Sequence, residues 1–313
     1  MTRVGIIGSS SMRKFRMKQV DVFTDRPLTG NPLAVVLDGE GLSSDEMQAI
    51  AREMNLSETT FVLPPTKREA NYRVRIFTPK MEIPFAGHPS IGTAYALVEE
   101  GRITVKQGVT RFWQELGIGV LPIEIEKNKD GGYFITMTQG QPILGQVLKD
   151  MRKVVDALRI PVDQIGYGNL PVQISSTGLN QLMIPVRSLK RVQDLSPSFE
   201  LLKDFEKSLN ATGCCVFTLE TSNPDAFVHM RFFAPEAGVN EDPATGSAAG
   251  ALGAYLAAHG IFGTKSPVSF VIEQGSEIQR PSRIVVTVQQ ADGAPVVKVG
   301  GSAVTVLNGE IVL

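Results

Sequence analysis

The chain is poor in the residues that build metal, redox and disulfide chemistry. Its 313 residues include only two cysteines and three histidines. Cys214 and Cys215 are neighbours in a strand-like apolar run, badly placed to bridge each other, and read as small packed hydrophobes. His88, His229 and His259 show no ligand spacing with each other or with cysteine, so no metal site is expected. An excess of one charge is missing too. The 31 basic and 32 acidic residues leave a net charge of −1 with no long run of either sign. That removes the electrostatic reason to expect nucleic acid or an anionic membrane as partner. No apolar run approaches the roughly 20 residues that cross a bilayer, and Val4 to Ile7 is too short for a signal-peptide core. The expectation is a cytoplasmic protein. There is no Walker loop, and Gly5-Ile-Ile-Gly8 lacks the spacing of a dinucleotide fingerprint. Residues 1–16 are expected as an extension outside the fold.

What is present is ordinary in composition and unusual in arrangement. A hydrophobic content of 42% and a charged content of 20% belong to a globular chain, long enough for two domains. One strand–turn–helix unit occurs twice. Arg75-Ile-Phe77 leads through Pro79 to Gly87-His88-Pro89-Ser90 and a helix; Arg231, Phe233 and Pro235 lead to Glu241-Asp242-Pro243-Ala244-Thr245-Gly246-Ser247 and a second, small-residue helix. Arg75, Phe77 and Pro79 precede their counterparts by 156 residues. Pairing His88 with Asp242 and Gly92 with Gly246 gives 154 for the second part of the unit. So long a period argues for two related lobes rather than a solenoid. The lobes are expected over residues 17–140 and 141–313, with the last strand free to return to the first lobe.

Along the chain, strands are predicted from Gln19, over Leu33 to Leu37, and from Glu58. A capping box at Ser43 and Glu46 predicts a helix over the next turns. Thr110 to Trp113, Gly119 to Glu126 and Gly132 to Thr138 read as antiparallel strands. Residues 138–146 are the predicted boundary, followed by a helix over Leu148 to Leu158. A further helix is expected from Ser196 and Pro197, and strands occupy most of the chain after the second copy. The fold class is therefore α+β: two pseudo-symmetric lobes, each a mostly antiparallel sheet wrapped around a central helix.

If the lobes face each other, two helix starts with unpaired N–H groups border one cleft, which suits a carboxylate. His88 at the first start reads either as a turn-holding histidine or as a site group. Asp242 reads as an N-cap before Pro243 or as a cleft carboxylate. Ser247 reads as a small helical residue or a ligand contact. Glu58, between Ser57 and Thr59 at a strand start, reads as a solvated edge residue or as an acid/base whose pKa is raised in a closed cleft facing Asp242. The Gly246, Gly250, Gly253 series has the spacing of a helix packed closely on a sheet.

These residues resemble a family. Asp21-Val-Phe-Thr, Gly30-Asn31-Pro32, Asn55-Leu-Ser57-Glu58-Thr59-Thr60-Phe61, Phe85-Ala86-Gly87-His88-Pro89-Ser90, Ser176-Thr177-Gly178-Leu179 and Glu241 to Ala248 look like the signature of the PhzF-like phenazine-biosynthesis family, whose fold is similar to that of diaminopimelate epimerase. The resemblance implies cofactor-free isomerisation of a small carboxylated metabolite, of the trans-2,3-dihydro-3-hydroxyanthranilate isomerase type. It implies Glu58 as the proton carrier, with His88, Asp242 and Ser247 lining the site and Gly87 and Gly246 close to the substrate through their backbones. It also implies a homodimer. The related two-cysteine racemases are a poorer match, since residues 85–92 and 241–248 contain no cysteine. An amino- or hydroxy-acid epimerase on the same fold and a non-catalytic metabolite- or protein-binding module are the alternatives.

Overall fold

The structure, a computed structural model, describes residues 12–291 and 294–313, so the Gly5–Gly8 stretch lies outside the described residues. The first half of the chain forms β1 (Lys14–Val22), β2 (Asn31–Val36), α1 (Ser44–Met54), β3 (Glu58–Leu63), β4 (Tyr72–Phe77), β5 (Glu82–Ile83), α2 (Gly87–Glu99), β6 (Thr110–Leu116), β7 (Gly119–Lys127) and β8 (Tyr133–Thr138). The second half forms β9 (Ile143–Val147), α3 (Arg152–Leu158), β10 (Gln173–Ser176), β11 (Asn180–Pro185), α4 (Leu189–Gln193), α5 (Phe199–Leu209), β12 (Gly213–Thr218), β13 (Val228–Ala234), β14 (Val239–Asp242), α6 (Gly246–Ala258), β15 (Val268–Gln274), β16 (Ser282–Gln289), β17 (Val296–Gly301) and β18 (Ala303–Val312).

Strand pairing gives the same order twice. One sheet runs β18-β1-β2-β3-β4-β6-β7-β8. The other runs β9-β10-β11-β12-β13-β15-β16-β17. β8 pairs antiparallel with β17, which joins the two edges into one continuous surface. The parallel steps are β2–β3 and β4–β6 in the first lobe, and β11–β12 and β13–β15 in the second. The final strand lies along β1, so the C-terminus closes the first lobe. Each sheet wraps a central helix, α2 or α6, that is apolar on nearly all sides and buried along most of its length. Glycine sets the closeness of that wrap. A Cβ on Gly92 would lie 2.7 Å from Leu33 Cδ2, and one on Gly253 would lie 2.6 Å from Val286 Cγ1.

The structure corrects the register of the repeat. Arg75 stacks on Phe77 and pairs with Glu82; Arg231 stacks on Phe233 and pairs with Glu241. The two arginines are 156 residues apart, but the two glutamates are 159 apart, because Phe233 and Glu241 are three positions further apart in the second hairpin than Phe77 and Glu82 are in the first. Both helices then start in phase, Gly87 with Gly246 and His88 with Ser247, while Asp242 matches Ile83. The expected pairing of His88 with Asp242 is therefore wrong. Pro89, Gly92 and Ala94 meet Pro243, Gly246 and Ala248 at the shorter shift, which is why it also fits the sequence.

Other boundaries move as well. β1 begins at Lys14, within the expected extension and ahead of the strand start expected at Gln19, because residues 14–16 pair with the C-terminal strand, and Phe15 packs in the core beside α1. The helix expected over Leu148 to Leu158 is shorter, Arg152–Leu158, and residues 143–147 form an edge strand on β10 instead. The helix expected from Ser196 is capped by Ser198, which accepts from Leu201 N. α1 forms as the sequence dictates. Ser43 and Glu46 make the capping box, and Asn55 in the left-handed region (φ 49°) turns the chain out of the helix into β3. That turn puts Glu58 at the strand's first position.

Candidate active site

The site is built where the two helix starts meet. A Cβ on Gly87 would lie 3.6 Å from both Gly246 Cα and Ser247 N. Neither start carries a side-chain cap: Ala86 has no group to offer α2. At α6 the N-cap is Thr245, not Asp242 as one reading had it, and its hydroxyl donates to Asp242 Oδ2 instead of capping. First-turn N–H groups thus remain available beside a cavity of about 610 Å3. Glu58, His88, Asp242, Gly246 and Ser247 all line that cavity. Gly87 does not; it stands behind the wall, against Gly246.

Glu58 is no solvated edge residue. Its side chain is 18% exposed, and His88 Nε2 lies 3.4 Å from its Oε2. Neither atom has a hydrogen-bond partner among the described residues. Burial, reinforced by the negative charge of Asp242, pushes the Glu58 carboxyl up to about 8. Burial pushes His88 down to about 3, so the ring is neutral. Its tautomer follows from Asn31. The Asn31 amide nitrogen donates to Asp242 Oδ1 (3.0 Å) and to Ala244 O (2.8 Å), and His88 Nδ1 faces the same nitrogen at 3.4 Å. An amide nitrogen cannot accept a hydrogen bond, so the ring nitrogen facing it carries the lone pair and the proton sits on Nε2, on the edge of the ring nearer Glu58.

Asp242 ends β14 and is buried. Burial raises its carboxyl to about 6, with hydrogen bonds from Thr245, Asn31 and Ser57 pulling it down and Glu241 pushing it up. Two carboxyl groups in one cleft thus have separated ionisation, Asp242 charged and Glu58 mostly protonated near neutrality.

Two supporting residues escaped the sequence reading. Asn31 is fully buried and ties β2 to Asp242 across the lobes. Gln274, at the end of β15, donates to Asp242 O (2.7 Å) and accepts from Thr245 N (2.9 Å). Asn31 stands in an Asn-Pro pair that reads as turn chemistry, and Gln274 has no local signal. Both act over long sequence distances. Cys214 and Cys215 are buried in β12 and absent from the cavity wall. The second-lobe match to Glu58 is Gly213, since Leu33 and Glu58 pair across β2–β3 as Gln181 and Gly213 pair across β11–β12.

The family model described as phenazine biosynthesis-like protein (PhzC-PhzF) matches residues 20–309. The chain belongs to the PhzF family. An uncharacterized isomerase of Clostridium acetobutylicum is 38% identical over 96% of this chain and 99% of its own length. The trans-2,3-dihydro-3-hydroxyanthranilate isomerase of Pseudomonas chlororaphis is 36% identical over 94% of this chain and 98% of its own. The chain is thus a PhzF-family isomerase. The crystal structure of a Bacillus anthracis PhzF-family protein superposes with a TM-score of 0.89 at 32% identity, covering 96% of this chain and all of the other. A hydroxyproline epimerase of Agrobacterium vitis shares the fold at 16% identity, with a TM-score of 0.68 over 96% of this chain and 93% of its own. The two-lobed architecture of the PhzF family is accordingly that of the epimerases and racemases. No helix among the described residues is long and apolar enough to cross a membrane.

Proposed function

We propose that this PhzF-family isomerase moves a proton within one small carboxylated substrate, with Glu58 as the single proton carrier. The observation that carries the reading is the juxtaposition of an unpartnered Glu58 carboxyl, the Nε2–H of His88 and the buried Asp242 beside two uncapped helix starts in one cavity. The substrate carboxylate would sit on the first-turn N–H groups of α6, at Gly246 and Ser247. Ionised Glu58 takes a proton from a carbon; the electron pair passes into the adjoining double bonds. The Glu58 carboxyl then returns that proton at another carbon, so nothing enters or leaves and a double bond has moved. With a pKa of about 8, roughly a tenth of Glu58 is ionised at pH 7, enough to serve as base while the protonated form is the matching acid. His88 Nε2–H steadies the carboxylate while it is charged. Asp242 holds the turn ahead of α6, and its charge strengthens the hold of Glu58 on the proton while that proton passes between the two carbons. Gly213, the second-lobe match to Glu58, carries no side chain, so the lobes supply no symmetric pair of bases, which supports one proton carrier rather than a symmetric two-base epimerisation.

The 36% identical relative names the first substrate to try. Proton NMR in heavy water with trans-2,3-dihydro-3-hydroxyanthranilate should show a new isomer with wild-type protein and none with Glu58→Gln. Turnover that survives in Glu58→Gln rules out this assignment. Deuterium entering a stereocentre of an amino or hydroxy acid without a double-bond shift would favour epimerisation.

A further inference from the structure

Gln181, on β11, lines the same cavity from the second lobe, and nothing in the mechanism uses it. It is 1% exposed, and neither its Nε2 nor its Oε1 has a hydrogen-bond partner among the described residues. Buried amides are ordinarily satisfied on both atoms, so an open donor and an open acceptor at a cavity wall ask for a partner.

Sheet packing gives no reason for an amide here. Ser175 and Gly213 flank Gln181 as Val20 and Glu58 flank Leu33, so Gln181 occupies the second-lobe position of a fully buried core leucine. Its neighbour Gly213 has no room for a side chain, since a Cβ would lie 2.3 Å from Phe232 Cζ. Further polar groups line the same cavity. A Cβ on Gly250 of α6 would lie 3.1 Å from Thr177 Oγ1 and 3.2 Å from Gln139 Oε1, and Thr177 and Gln139 both line the cavity. The second lobe thus replaces the core leucine of its counterpart with an amide, in a cavity wall that also carries the Thr177 hydroxyl and the Gln139 amide.

We propose that Gln181 is a specificity residue for the substrate. Its amide receives a neutral group that both donates and accepts, in the simplest case a hydroxyl, carried by the substrate apart from its carboxylate. This rests on the cavity being the carboxylate site argued above. A neutral donor–acceptor group satisfies both amide atoms, whereas an unsubstituted analogue leaves them buried and unpaired, the arrangement that discriminates most strongly.

The test is calorimetric binding of carboxylates paired by one hydroxyl: anthranilate with 3-hydroxyanthranilate, and proline with trans-4-hydroxyproline. The proteins are wild type, Glu58→Gln, Gln181→Leu (the residue at the matching first-lobe position) and Gln181→Met, which keeps the length. Wild type and Glu58→Gln should bind the hydroxylated member of at least one pair roughly 10–100-fold more tightly. Both Gln181 variants should lose that preference, keep their affinity for the unhydroxylated partner, and melt no lower than wild type. A preference that survives in the Gln181 variants overturns the proposal, as does carboxylate binding by wild type with no hydroxyl preference. Variants that melt lower or fail to fold also overturn it, since the amide would then be structural. If no carboxylate binds wild type at all, the reading of the cleft fails first and the proposal falls with it.

Discussion

Replacing Glu58 with glutamine should abolish turnover and at the same time stabilise the protein, in a pH-dependent way. The carboxyl is raised from 4.5 to about 8 in the fold, chiefly by burial and secondly by Asp242. A carboxyl raised on folding binds its proton more tightly in the folded than in the unfolded chain. Stability is therefore lost as pH climbs from the unfolded value of 4.5 toward 8. At about 1.4 kcal/mol for each unit of pKa difference, the wild-type penalty is under about 1 kcal/mol at pH 5 and at most about 4 kcal/mol at pH 8. Glutamine has the same shape and no ionisation, so it removes the pH-dependent part of this penalty. Urea melts of wild type and Glu58→Gln at pH 5 and pH 8 would read the difference directly. The stability gap between variant and wild type should widen in favour of the variant from pH 5 to pH 8. Equal gaps at the two pH values, or a variant that loses ground as pH rises, would refute the claim that the folded cleft holds this proton. Turnover should fall by at least about 100-fold, the lower end for loss of a general acid–base group.

Other perturbations separate the roles of the neighbours. Asp242→Asn should lower the Glu58 pKa only part of the way toward the ordinary range, because burial remains the larger cause; a carboxyl NMR titration checks this, and an unchanged value refutes it. Gly87→Ala adds a methyl group behind the cavity wall, in ordinary contact with Gly246 and Ser247, so melting temperature and ligand affinity should both hold, read by thermal shift and calorimetry on one sample; a fall in affinity alone would refute the placement of Gly87 behind the wall. Away from the site, His229 hydrogen-bonds Glu273 and Glu277, each at 2.7 Å. Burial alone would lower its pKa, but the two carboxylates outweigh burial and hold it at about 9. This raised histidine contributes full stability below its unfolded value of 6.5 and loses it as pH rises through about 9. His229→Gln should therefore melt lower than wild type near pH 6, and the two curves should converge above pH 9.

Much of the frame is local and was open to reading in the sequence. The Ser43–Glu46 capping box starts α1, and Asn55 ends it. The paired Arg-x-Phe strands carry the repeat, and both arginines stack on their phenylalanines in the fold. Glu58, His88, Asp242, Gly246 and Ser247 do share one cavity. The edge strand at residues 143–147 falls almost wholly in the stretch expected as a boundary, because all of its residues are exposed and it exists only by pairing with β10.

By itself, the sequence determined two lobes, their small-residue central helices and the residue types at both helix starts, because caps, turns and strand alternation act between near neighbours. The tertiary structure alone decided the register between the lobes, since Pro89, Gly92 and Ala94 also meet matching residues at the shorter shift and only strand pairing chooses between the two. It alone decided that Asn31 and Gln274 hold Asp242, and that the Gln181 amide finds no partner among the described residues. Those facts depend on groups far apart in the chain meeting where water is excluded. There, a missing partner or a nearby charge costs far more than it would in solvent, and no local pattern records the distance between them.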